Sequence, residues 1–123
     1  MLPLNFMTPV ELYIDSLQNT QQQHIIFHIH HLLMTYSGVT NKIRFKIPFY
    51  DGNKWICYLN PIKKNGVEVC FLRGFDLSKR NYLEAKKRTM VKGISVYKID
   101  EDTLSLIAEV FEEALKLDNH SKS

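Results

Sequence analysis

The sequence predicts an α+β fold in which an antiparallel sheet, a three-strand meander plus a fourth strand, packs in two layers against N-terminal and C-terminal helices. Three observations carry that expectation. Apolar residues recur at helical spacing before residue 37 and after residue 100, but at a spacing of two over residues 42–49. Two turn signals, Asp51-Gly52-Asn53 and Asn65-Gly66, cut the middle of the chain into runs joined far too briefly for parallel crossovers. A chain of 123 residues with 45% hydrophobic and 24% charged content can bury one core, so a single domain is expected over 1–123, its core at about 8–118.

The first helix starts at Thr8-Pro9-Val10-Glu11, where Thr8 can cap, Pro9 suits the first helical position and Glu11 completes a capping box. Leu12, Tyr13 and Leu17 would be its buried stripe. A second capping box, Thr20 with Gln23, opens a helix over about 21–36 whose apolar face holds Ile25, Ile26, Ile29, Leu32, Leu33 and Tyr36. Gly38 suits the left-handed position that ends it.

Strands are expected at 42–49, 55–60, 67–73 and 93–99. Pro48 cannot donate to a ladder, which argues for an edge or a bulge there. Symmetric pairing about the second turn sets Cys57 opposite Cys70. One face would then carry Phe45, Ile47, Phe49, Trp55, Cys57, Leu59, Cys70 and Leu72 toward the core, and the other Lys42, Arg44 and Lys46 near Ile56, Tyr58, Val69 and Phe71. The segment 74–92 reads as a long basic loop. Asp100 caps a last helix with Leu104, Ile107, Ala108, Phe111, Ala114 and Leu115 buried, and residues 119–123 are expected to be disordered.

Charge is segregated along the chain. Residues 42–98 hold 14 of the 16 Lys and Arg against four acids, whereas residues 99–123 hold seven acids against two Lys. Such a basic block attracts an anionic ligand, or keeps a sheet edge from pairing with itself. No apolar run approaches the ~20 residues that span a bilayer, so no membrane association is expected. The opening MLPLNFMTP has neither a positive n-region nor a small-residue cleavage site, and a cytoplasmic location without a leader is expected. Two Cys without a CxxC pair point to reduced core thiols.

Three constellations could carry chemistry. His24, His28 and His31 fall within about 60° of one another on the second helix, opposite its apolar stripe, where two or three imidazoles can approach one metal. The last helix gathers Glu109, Glu112 and Glu113, the oxygen donors that a hard cation prefers. Lys42, Arg44 and Lys46 at strand spacing, with Tyr58, Phe71 and Arg73 beside them, form a candidate anion or ligand face, because cations flanking aromatic rings suit phosphates and bases. Alternating Lys and Arg is also the ordinary solubility pattern of an exposed strand, and that reading ranks above nucleic acid as a partner. No Ser-His-Asp set, phosphate loop, GxGxxG or paired catalytic carboxylates can be assembled, so no enzyme is expected.

The TPVELYIDSL opening, the KIRFKIPFY strand, WICYLN with the lysine-bearing turn after it, the Phe-Leu-Arg-Gly segment at 71–74 and the EEALKL helix end occur in an order that resembles the YdhG-like family. That family is a group of bacterial domains of unknown function that includes a frataxin-like intracellular iron chaperone. The resemblance covers residues 8–117 and implies helices on one side of an antiparallel sheet. It also implies iron as cofactor and haem or iron–sulfur assembly proteins as partners. The leading expectation is an intracellular binding or carrier domain. The alternative is a nucleic-acid or anionic-ligand module using the basic sheet face.

Overall fold

The computed structural model describes residues 7–120 and is α+β: three α-helices and a five-strand antiparallel sheet. The helices are α1 Pro9–Ser16, α2 Thr20–Leu33 and α3 Glu101–His120, and the strands β1 Thr40–Arg44, β2 Ile47–Asp51, β3 Trp55–Ile62, β4 Gly66–Phe71 and β5 Lys92–Val96. Strand order follows chain order, β1-β2-β3-β4-β5, and every neighbour is antiparallel. The leader expectation falls largely on residues 1–6, outside those described, as do residues 121–123 of the expected tail. Asn119 and His120, placed in that tail by the sequence, instead extend α3.

Local chemistry starts each helix. Thr8 accepts from Glu11 N at 3.2 Å while Glu11 Oε1 accepts from Thr8 N at 2.8 Å, the expected reciprocal box. For α2 the cap is Asn19, whose Oδ1 takes Gln22 N at 2.9 Å; Thr20 is already helical. Asp100 caps α3 by accepting from Thr103 N at 2.8 Å. The helices bury Val10 and Ile14, then Ile25, Ile26, Ile29, His30 and Leu33, then Ile107, Val110, Phe111 and Ala114. Leu12, expected inside, is exposed, because Val10 and Ile14 take the inward face of α1.

The sheet departs from the sequence reading in three places. The run expected as one strand at 42–49 is a hairpin, β1 and β2, so the sheet has five strands rather than four. Its tip is Phe45-Lys46, with φ of 53° and 68°. Both central residues of the tight turn whose twist matches flanking strands need positive φ, usually supplied by Asn-Gly. Nothing in the Phe-Lys pair announces that geometry.

The second departure is a register offset of one. The β3–β4 hairpin is centred on Lys64, so Tyr58 faces Cys70 and Cys57 faces Phe71. Because side chains alternate with period two, this offset exchanges the faces of β4. Val67, Val69 and Phe71 join the core, while Glu68 and Cys70 turn to the other side. Cys57 and Cys70, expected as cross-strand neighbours, are free thiols on opposite faces.

The third is a bulge. Tyr50 pairs with Cys57 and Asp51 with Trp55, so one step along β2 matches two along β3 and Ile56 is the extra residue. Ile56 and Cys57 both enter the core, and Trp55, expected there, stands 46% exposed on the opposite face beside Phe49. Pro48 sits within β2 between two neighbours, but pairing with β3 begins only at Phe49, so its missing N–H falls outside that ladder.

One buried cluster takes Val10, Ile25, Ile29 and Phe111 from the helices and Tyr50, Cys57, Leu59, Val69 and Phe71 from a single sheet face. Phe71→Ala should therefore cost about 3–5 kcal/mol in urea unfolding, the range for emptying a buried aromatic site. Trp55→Ala should cost only about 1–2 kcal/mol, since half the ring is in water and a cation–π contact is the main loss. Equal losses would place Trp55 in the core.

Candidate functional site

The sheet face turned away from the helices is the candidate site. Arg44, next to the β1–β2 turn, reaches Asp51 on the neighbouring strand with two hydrogen bonds, Nη1 to Oδ1 at 2.8 Å and Nη2 to Oδ2 at 2.7 Å. The guanidinium carbon lies 4.2 Å from the Trp55 ring centroid and 5.4 Å from that of Phe49. A planar guanidinium is suited to pair with a carboxylate in its plane while stacking on a ring above it. The bulge at Ile56 makes this possible by turning Trp55 outward.

Phe49 is the hub of an aromatic ladder. Its ring stacks on Tyr58 at 5.0 Å and meets Trp55 edge-on at 5.4 Å, and Phe45 lies 6.0 Å from it and 6.4 Å from Trp55. These spacings lie within the range of favourable ring pairs. The rings and Asn60 line an open hollow of about 480 Å³. Phe45 is 79% exposed at the tip of its strained turn. Left-handed backbone at a non-glycine residue costs on the order of 1–3 kcal/mol, which marks the turn as a place to look for function.

Toward β4 and β5 the same face is covered. Glu68, 2% exposed, forms a bidentate pair with Arg88 (2.7 and 3.2 Å) and lies 3.6 Å from Lys86 Nζ. Burial pushes its carboxyl up, but these cations outweigh burial and hold it below the ordinary carboxylate range. Gly93 makes room: a Cβ there would stand 2.6 Å from Glu68 Oε2. Burial pushes Cys70 up to about 12, with Glu68 adding to the rise, and pushes Cys57 far above its ordinary value, so neither thiol is poised as a nucleophile.

The expected anion face is thus only partly assembled. Lys42 and Tyr58 share this face, and Tyr58, pushed up to about 12 chiefly by burial, keeps its proton. Arg44 is tied to Asp51, and Lys46 sits at the turn instead of in a stripe with Lys42. Phe71 is in the core, and Arg73 binds Asp76 at 3.0 Å beyond the end of β4.

Of the other two constellations, the imidazoles line one hollow beside α1, whereas the acids of α3 are dispersed. His24 and His28 touch edge to face at 4.4 Å, whereas His31 packs on Phe27 at 4.4 Å. Glu109 pairs with Lys79 at 3.1 Å, Glu112 accepts from the Tyr36 hydroxyl at 3.0 Å, and Glu113 accepts from Ser78 N and Oγ. Among the described residues no group of three or more His, Cys, Asp and Glu side chains could hold a metal ion. An iron site on α3 would have to release these partners first.

Sequence reasoning missed Phe45, Phe49 and Trp55 as site residues by assigning them to the core, and neither the bulge nor the turn leaves a sequence signal. It also passed over His30, which is buried with Nδ1 2.7 Å from the Tyr50 hydroxyl, joining α2 to β2. Comparison with protein-family models, curated proteins and solved structures gives no match.

Burial, helped by His31 and opposed by Glu11, lowers the His30 pKa below its ordinary value. Between the two values only the unfolded chain binds this proton, so stability should be full above about pH 6.5 and fall as the pH drops below it. His30→Gln should flatten that limb in denaturant melts at pH 7.5, 6.5 and 5.5. An unchanged slope would show that His30 is protonated equally in both states.

Proposed function

We propose that this domain is a non-catalytic binding module whose uncovered sheet face takes a single-stranded nucleic acid. Bases would stack on Trp55 and Phe45, and phosphates would lie along Lys42 and Lys46. The observation that carries this reading is the aromatic ladder on β1–β3, with Phe45 and Trp55 exposed and Lys42, Arg44 and Lys46 on the strand and turn beside it. Large rings left in water forgo burial, and a flat π-face is what every base can stack on. Arg44 holds Trp55 rather than contacting phosphate, so its role is to present the ring. The hollow of about 480 Å³ is open along the sheet, which suits a strand better than an enclosed small molecule.

Titrating the protein with a fluorescently labelled oligo(dT) at low salt should give saturable anisotropy, and the only Trp should report the same event by quenching. Affinity should fall with salt by a log–log slope of about −0.7 per phosphate neutralised. Trp55→Ala or Phe45→Ala should each weaken binding by roughly 1–3 kcal/mol, and Lys42→Gln/Lys46→Gln should lower the salt slope. Absence of saturable binding, or full binding by the aromatic variants, rejects the reading.

A further inference from the structure

A second hollow lies at the Gly52 end of the sheet, between β3, β4 and the C-terminal half of α3, roofed by the segment that follows β4. It has a volume of about 410 Å³, and its floor is Ile56, Phe71, Leu77 and Ala114, all buried in the core cluster. Trp55 and Met90 are its exposed apolar lining, and Trp55 also lines the open groove. A hollow of this size, with an apolar floor and few polar groups at its mouth, has the dimensions of a small-molecule site.

The mouth defines the ligand's charge. Its polar residues are Lys54, Arg73 and Asp118. Asp118 is committed: Oδ2 accepts from Asn53 N at 2.6 Å and Oδ1 from Lys54 N at 2.9 Å, which fixes the turn before β3. Arg73 is bound to Asp76 at 3.0 Å and to the Leu117 carbonyl at 3.5 Å. Lys54, exposed and lining this hollow, has no side-chain hydrogen bond or ion pair among the described residues. We infer that this hollow binds a small amphipathic carboxylate, its hydrocarbon or aryl body against Phe71, Leu77 and Met90 and its acid on Lys54. This inference is independent of the nucleic-acid reading, which uses the open groove and not Lys54.

The test uses 4-phenylbutyrate and its neutral amide as probes in calorimetric titration of the full chain. The acid should bind saturably at one site per chain, and the amide about tenfold more weakly. Lys54→Gln, a surface change that leaves the floor untouched, should lower acid affinity about tenfold and erase the difference between acid and amide. Ala114→Phe should fill the hollow and abolish binding, with melting curves reporting whether that variant folds. Failure of the acid to saturate at millimolar concentration, equal binding of acid and amide, or unchanged affinity in Lys54→Gln would overturn the inference. Retained oligo(dT) binding in Lys54→Gln alongside lost acid binding would show the two sites to be separate.

Discussion

The single extra residue in β3 shapes both sides of the sheet. With strict alternation, Trp55 would follow Cys57 into the core and Ile56 would face water. The register shift opposite Asp51 places Ile56 and Cys57 together in the buried cluster and turns the indole outward. Asp51, two residues from Phe49 on β2, is on that face by plain alternation, where it receives Arg44, and the guanidinium lies against the indole at 4.2 Å. The core gains two side chains in consecutive positions, and the open face gains its largest ring.

The face opposite the helices is divided, and its two halves treat charge differently. Over β4 and β5, Glu68 is taken out of water and satisfied by Arg88, whose remaining donors reach Ala85 O, Glu84 O and the Cys70 sulfur. A buried ion pair tolerates little rearrangement, because losing either partner strands the other charge. The segment carrying Arg88 is therefore held in place, with Glu84 and Gly93 exchanging backbone hydrogen bonds at 2.7 and 2.9 Å. Over β1–β3 no ion pair of the described residues covers the face in this way, and Phe45 and Trp55 stay exposed around the buried Phe49. The half that is locked resists change, and the half that is open offers stacking surface.

Segregated charge along the chain has an internal use as well. The acids of α3 reach into the basic middle region: Glu109 to Lys79, Glu113 to Ser78 and Asp118 to the turn at Asn53 and Lys54. The first two are exposed contacts that dock the segment after β4 against the last helix, and Asp118 docks the turn before β3. Acids that look like a ligand cluster in one dimension are spread over separate docking contacts in three.

The sequence by itself determined the α+β class, the antiparallel order of the strands, the caps at Thr8 and Asp100, and most of the buried stripes of α2 and α3. These rest on local chemistry and on periodicity, both of which are written along the chain. Only the tertiary structure decided which face each strand residue occupies. A two-residue turn of Phe45-Lys46, a hairpin centred on Lys64 and one extra residue at Ile56 each shift register by a single step, and a single step reverses the side to which every following side chain points. For that reason Phe49 and Trp55 left the expected core for the candidate site, and Phe71 went the other way: the choice depends on packing against distant helices, which no local spacing records.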